Sequence, residues 1–274
     1  MSARDVKDGE IARGVALDPE RYRDLTAARI RLGRGGAVLS TGAEQSFLLD
    51  HARARDAVWS EVDWPRLEAG LLAADLSCAR VASAVPDRAT YIRRPDLGRA
   101  LSEDGAERVA RLAQDMGSPR ELLIVVGDGL SATAVDLVAG ALVIRIAEAA
   151  AKRGVSIGPV ILAEGARVAL GDPIAEAFGA KVVVMLLGER PGLSAADSLG
   201  AYVTYGAKTG TPDSRRNCIS NIREGGLTID AATGALMDLV AHMLRRRISG
   251  VKLADATAAL VHREASPEQG TGEP

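Results

Sequence analysis

Three short apolar runs set the frame for this chain: ELLIVVG (121–127), GPVILAEG (158–165) and KVVVMLLG (181–188). Their apolar stretches carry no polar alternation, and a glycine closes every run. Continuous apolarity in a strand-length run means burial on both faces. Between the first two runs, Val135, Val138, Ala139, Leu142 and Ile146 recur on one face of a helix. Between the second and third, GDPIAEAFG reads as a short helix closed by a glycine. Strands that alternate with helices in this way build a parallel sheet covered on both sides. Sheets of that kind bind ligands outside the carboxyl ends of their strands.

The remaining segments fit around this unit. NCISNI (Asn217 to Ile222) reads as a short fourth strand or a buried loop. From Asp230 a last helix carries Leu236, Leu239, Val240, Met243 and Leu244 on one face, and Arg245-Arg246-Arg247 complements its C-terminal dipole. Upstream, RIRLGRGGAVLSTG is a glycine-rich loop. A helix follows from Thr41, with Phe47, His51, Ala54 and Val58 at helical spacing and Thr41 with Glu44 as a capping box. His51 reads as a packed helix histidine rather than a ligand, since no partner ligand lies near it in sequence. VPDRATYIRRPDLGRALSEDG is a charged loop followed by a short helix; Arg88, Arg93, Arg94 and Arg99 read there as a solvated face, with contact to an acidic partner or a phosphate as the alternative. The expected organisation is a mobile arm over 1–28, a helical region over 29–116, an α/β domain over 117–254 and a disordered tail over 255–274.

Composition removes several function classes. Lys and Arg total 34 against 36 Asp and Glu, so the basic excess of a nucleic-acid or membrane-surface binder is missing. Aromatics make up 3%, too few for base-stacking platforms. The two cysteines, Cys78 and Cys218, lie far apart, and His51, His242 and His262 share no metal-ligand spacing, so a disulfide scaffold or zinc site is not expected. No apolar run is long enough to cross a bilayer, and the charged opening MSARDVKDGEIARG is unlike a secretory signal.

The chemistry-bearing residues gather where the strands end, at Gly127-Asp128-Gly129-Leu130-Ser131, Glu164-Gly165-Ala166-Arg167-Val168 and Gly188-Glu189-Arg190-Pro191-Gly192. Gly127, Gly129 and Ala132 match the G-x-G-x-x-G/A dinucleotide fingerprint after a strand and before a helix. The acidic residue that the fingerprint wants, Glu164, comes late, and Asp128 would repel a pyrophosphate. A tight strand–helix turn that needs glycine is an equal reading. For Glu189 the alternatives are a ligand contact and an ion pair with neighbouring Arg190.

Several blocks together resemble the small subunit of ethanolamine ammonia-lyase. They are RLGRGGA, LLDHARARDAV, DRATYIRRPDLGRAL, VVGDGLSATAV, the stretch from ARVALGDP to LGAYVTY, RRNCISNIREGG and SGVKL, in the family's order over about residues 29 to 253. The resemblance implies a Rossmann-like parallel sheet in the C-terminal part after a helical N-terminal part. It implies a lyase that splits ethanolamine into acetaldehyde and ammonia by a radical mechanism, with adenosylcobalamin as cofactor. The partner is a large subunit that carries the substrate and catalytic groups in a hetero-oligomer, so no catalytic residue is expected in this chain. Three matched positions are implied to contact the cofactor: Val168 through backbone and apolar surface, Glu189 as hydrogen-bond acceptor, and Cys218 as a small, soft residue against the ring. No histidine here has Asp two residues before it, in keeping with a family that leaves the cofactor's own base on cobalt. The expected location is the cytoplasm, or a bacterial microcompartment, although residues 1–24 lack the amphipathic stripe of the longer arms linked to encapsulation. The alternatives are a free-standing NAD-type oxidoreductase built on Gly127 to Ala132 and a purely structural subunit.

Overall fold

The computed structural model describes residues 39–253. The expected arm, most of the glycine-rich loop, and the tail with His262 lie outside the described residues. The chain divides into two compact units, Met1–Ala52 and Arg53–Pro274. In the first, helix α1 (Thr41–Trp59) begins and continues past the division. Its cap is Ser40, one residue before the expected Thr41: the Ser40 hydroxyl accepts from the Ala43 amide at 3.3 Å. Phe47 and His51 stack one turn apart, with ring centroids 6.1 Å apart.

In the second unit, helix α2 (Trp64–Ala73) starts at Asp63, whose carboxylate accepts from the Arg66 amide. Strand β1 (Cys78–Ala82), helix α3 (Arg88–Arg93) and helix α4 (Glu103–Met116) follow. Next come β2 (Leu122–Gly127), a single turn α5 (Ala132–Ala134), a π-helical turn over Val135–Ala139, and α6 (Gly140–Lys152). Strand β3 (Val160–Glu164), helix α7 (Gly171–Ala177), strands β4 (Val182–Gly188), β5 (Leu199–Tyr205) and β6 (Arg216–Ile222), and helix α8 (Ile229–Arg246) complete the described chain. No described helix is long and apolar enough to cross a membrane.

The six strands form one sheet in the order β1-β3-β2-β4-β5-β6. The first four run parallel, while β5 and β6 are antiparallel additions. Alternate residues of each central strand face opposite cores. Leu122, Ile124 and Val126 meet α2, α6 and α8 through Leu71, Ile146 and Val240. Leu123 and Val125 face the other side, with Val109 of α4 and Ile174 of α7. This two-sided burial is the reason the strands read as unbroken apolar runs. The π turn keeps Val135, Val138 and Ala139 against the sheet and turns Asp136 toward α2, where it accepts from the Asp63 amide at 3.0 Å.

Two expectations need correction. Residues 29–116 are not wholly helical, because Cys78–Ala82 adds an edge strand. Its inward residues, Ala79 and Val81, are too small and too few to produce an apolar run. The sheet is mixed rather than parallel: LGAYVTY, whose Tyr202 is only half-buried, is the strand β5 that composition alone did not reveal. Of the two readings of NCISNI the strand holds: it lies in β6, a largely exposed outer strand.

Strand order reverses at β2. The chain leaves β2 for β3 on one side through α6, then returns across the sheet through α7 to β4 on the other side. A crevice outside the ends of β2 and β4 is where such a sheet holds ligands. Here the two ends touch. Gly129, at φ +58°, lies so close to β4 that a Cβ would clash with the Gly188 carbonyl oxygen, while the Leu130 amide donates to that oxygen at 2.8 Å. Gly129→Ala should therefore destabilise the fold by about 2 kcal/mol or more, the cost of a left-handed alanine plus a backbone clash. Thermal melts should fall by at least ~4 °C, at about 2–4 °C per kcal/mol for a domain of this size. Gly192→Ala, with nothing within 4 Å of its Cβ position, should melt like the parent.

Candidate functional site

The residues that follow β2 and β3 are tied to each other and to α3 by one carboxylate. Asp128, after β2, accepts from the Ala166 amide beyond β3 at 2.9 Å and from the Gly129 amide at 3.1 Å. Its second oxygen pairs with Arg88 of α3 at 3.1 Å, both side chains being more than four-fifths buried. Burial pushes the Asp128 carboxyl above its ordinary range, against the pull of the Ala166 amide and Arg88. Arg88 also donates to the carbonyls of Val58 and Gly129. It is a structural cation rather than part of a solvated face; Arg94, paired with Asp96 in the open, fits the solvated reading.

Arg88 further lies over the ring of Tyr91, 4.7 Å from its centroid, and Arg167 covers the ring at 4.1 Å. The Tyr91 hydroxyl donates to the Ala166 carbonyl, and burial raises its pKa well beyond the usual phenol value. An arginine–tyrosine–arginine cluster thus packs beside the Asp128 network. Arg167 Nη2 donates to the Tyr91 carbonyl at 3.0 Å. Sequence reading missed the cluster because Arg167 lies 76 residues beyond Tyr91, with no motif linking it to the α3 pair.

Beside this cluster lies an open groove made of two adjoining depressions. The first, about 480 Å³, is lined by Arg167, Val168, Gly188, Glu189, Arg190 and Tyr202 among others. The second, about 420 Å³, shares Arg167, Val168 and Tyr202 and adds Arg216 and Cys218. All three residues singled out in the sequence therefore line one groove. Val168 opens a 3-10 turn after β3, Glu189 follows β4, and Cys218 stands on β6 opposite Tyr202 of β5.

Glu189 does not pair with Arg190. Its carboxylate instead accepts from the hydroxyls of Ser198 at 2.5 Å and Ser220 at 2.6 Å, and from the Asn221 amide at 3.2 Å. Gly200 beneath it has no room for a Cβ, which would meet Oε1 at 2.9 Å. Tyr202 is pushed up to about 12 by burial, with Cys218 and Glu189 adding to the shift. Although Cys218 keeps an exposed surface, partial desolvation on the groove wall, and then the Glu189 charge, raise its thiol, so it stays neutral near pH 7. At the base of β6, Arg216 is clamped bidentately to Asp172 at 2.7 and 2.8 Å, both side chains almost fully buried. That clamp fixes the start of the strand that carries Cys218.

The dinucleotide fingerprint is accounted for without a nucleotide. The Gly129 amide is bound by Asp128, the Leu130 amide by the Gly188 carbonyl, and the Gly129 conformation by contact with β4. Glu164 pairs with Arg80 across the β1–β3 ladder. Asp128→Asn would set an amide N–H against the Arg88 guanidinium and leave that cation unpaired. We expect a loss of about 3 kcal/mol, the range for breaking a buried pair from one side, read as a lowered thermal midpoint. Asp96→Asn, which breaks the exposed Arg94 pair, should change stability by less than about 0.5 kcal/mol.

Comparison with known proteins agrees with the resemblance. The family model described as Ethanolamine ammonia-lyase light chain (EutC) matches residues 18–254. The ethanolamine ammonia-lyase small subunit of Bradyrhizobium diazoefficiens is 48% identical over 254 residues, covering 92% of this chain and 95% of its own. That of Rhodopseudomonas palustris is 46% identical over 247 residues, covering 89% of this chain and 94% of its own. That of Xanthomonas campestris pv. campestris is 46% identical over 235 residues and covers 86% of each chain. The match runs across every element that builds the groove, and the chain belongs to the ethanolamine ammonia-lyase light chain family.

Proposed function

We propose that this chain is the small subunit of an adenosylcobalamin-dependent ethanolamine ammonia-lyase, and that its groove forms one wall of the corrinoid site against the large subunit. The observation that carries the reading is the meeting of Val168, Glu189 and Cys218 along one groove at the sheet's ligand-binding edge. The residues fit such a cofactor. A corrinoid is broad and rimmed with amides, and the groove is wide, open and mixed in polarity. Arg167 Nε is buried there without a partner, a donor that asks for an acceptor.

Bound adenosylcobalamin supplies the radical that takes hydrogen from ethanolamine on the way to acetaldehyde and ammonia. This chain binds and orients. Of the roughly four acceptor sites on a carboxylate, Glu189 has three occupied by Ser198, Ser220 and Asn221, which fix its direction and leave Oε1 able to accept one more N–H. Val168 contributes apolar surface at the middle of the groove, where the two depressions adjoin. Cys218, small and neutral, keeps the β6 wall low enough for a large ring to approach. The Asp128 network holds the β2 and β3 ends in register beneath them. Substrate groups and catalysis belong to the large subunit, in the cytoplasm or in a bacterial microcompartment, and the 117–254 region is the corrinoid-facing domain.

Two measurements test this reading. The isolated chain, mixed with ethanolamine and adenosylcobalamin, should release no acetaldehyde; turnover by it alone would sink the two-subunit account. In the complex assembled with the large subunit, Glu189→Gln should weaken cobalamin binding about tenfold or more. A hydrogen bond to a charged group contributes about 1.5–3 kcal/mol, and 1.4 kcal/mol is a factor of ten. Gln keeps the shape, and the two serine hydroxyls can reverse their roles, so thermal stability should stay within a few degrees. An unchanged dissociation constant would confine Glu189 to bracing β6, as in a purely structural subunit.

A further inference from the structure

We propose that Arg167 is the phosphate-recognising residue of this groove, and that it takes the phosphodiester in the nucleotide loop of the corrinoid. The inference rests on the corrinoid reading above and names the part of the ligand that one side chain reads. It starts from an imbalance of charge. Around the strand ends three other arginines each have a carboxylate: Arg80 has Glu164, Arg88 has Asp128, and Arg216 has Asp172 and Asp213. Arg167 has none among the described residues. One donor, Nη2, reaches the Tyr91 carbonyl, and Nε is buried with no partner at all. A guanidinium withdrawn from water without a counter-charge is costly unless a ligand supplies one.

The position is built rather than incidental. The Arg167 amide donates to the Gly98 carbonyl at 2.8 Å, and its stem lies where a Gly98 Cβ would come within 2.8 Å of Cγ. Its guanidinium rests 4.1 Å from the Tyr91 centroid, and that ring is held from its hydroxyl by the Ala166 carbonyl. Stacking of this kind fixes the plane of the fork and so lowers the entropy lost on binding. Arg167 lines both depressions, next to Val168. Arg99 and Arg190 also reach the groove, but both are exposed, where solvent can meet their donors. A cobalamin carries one anionic group on its periphery, the phosphodiester. A planar guanidinium with free donors is the side chain suited to it.

The test uses the assembled two-subunit complex and three corrinoids: cyanocobalamin, cobinamide phosphate and dicyanocobinamide, which lacks the phosphate. Spectroscopic titration gives each dissociation constant. Arg167→Gln should weaken cyanocobalamin and cobinamide phosphate at least tenfold and leave dicyanocobinamide within twofold. Arg167→Lys, which keeps the charge but not the fork, should lose part of the phosphate-dependent preference and bind dicyanocobinamide as the parent does; it carries the test if the Gln variant melts early. Equal weakening of all three ligands by Arg167→Lys, or no weakening by either variant, would overturn the proposal. Loss of assembly with the large subunit in well-folded Arg167→Gln would overturn it in favour of a partner carboxylate. A parent complex that binds none of the corrinoids would instead refute the cofactor reading itself.

Discussion

The groove depends on a carboxylate that never faces it. Asp128 sits at the end of β2 and reaches sideways to the Ala166 amide beyond β3 and to Arg88 on α3. Those bonds convert three independent turns into one edge. Arg88, so held, stacks on Tyr91, and Tyr91 in turn supports Arg167 at the groove. Burial disfavours the charge on Asp128, and the Ala166 amide and Arg88 oppose that effect. On the opposite side, the Gly129–Gly188 contact welds β2 to β4 and sets where Glu189 leaves the sheet. The edge is therefore rigid where it carries the candidate contacts.

A second consequence concerns the antiparallel strands. Beyond β4 the sheet could have ended; instead β5 and β6 extend it and form the far wall of the groove. Glu189 links the end of β4 to this extension through Ser198, Ser220 and Asn221. The Asp172–Arg216 clamp secures the other end of β6 to α7. An outer strand is normally the most labile part of a sheet. Here it is anchored at both ends, which is what a wall carrying Cys218 requires.

The central strands were legible because burial on both faces leaves nothing but apolar residues in them. The helices α6 and α8 were legible from their single apolar faces. Strand β1 was not, since CARVA buries only Ala79 and Val81 and exposes a charged residue between them. Strand β5 hid for another reason: it is covered by β6 and α8 rather than by repeated helices, and its glycine and tyrosines mask the pattern. Val168, Glu189 and Cys218 were named from family resemblance, and no spacing rule links them. Their proximity comes from the reversal of strand order at β2 and the return through β5 and β6. The charge cluster around Arg88 misled for a related reason. Its counter-ion, Asp128, lies 40 residues away, and ion pairs across such separations leave no local trace.

The central claim is that one face of this chain, formed by the strand ends and β6, lies against a corrinoid in the assembled enzyme. Amide hydrogen exchange on the complex with its large subunit, with and without saturating cyanocobalamin, tests it most directly. Slower exchange should appear together in residues 164–168, 188–192 and 216–222, while α4, which packs on one face of the sheet against β1 and α7, stays unchanged. Cobalamin that binds the complex without altering any of those three segments would contradict the account.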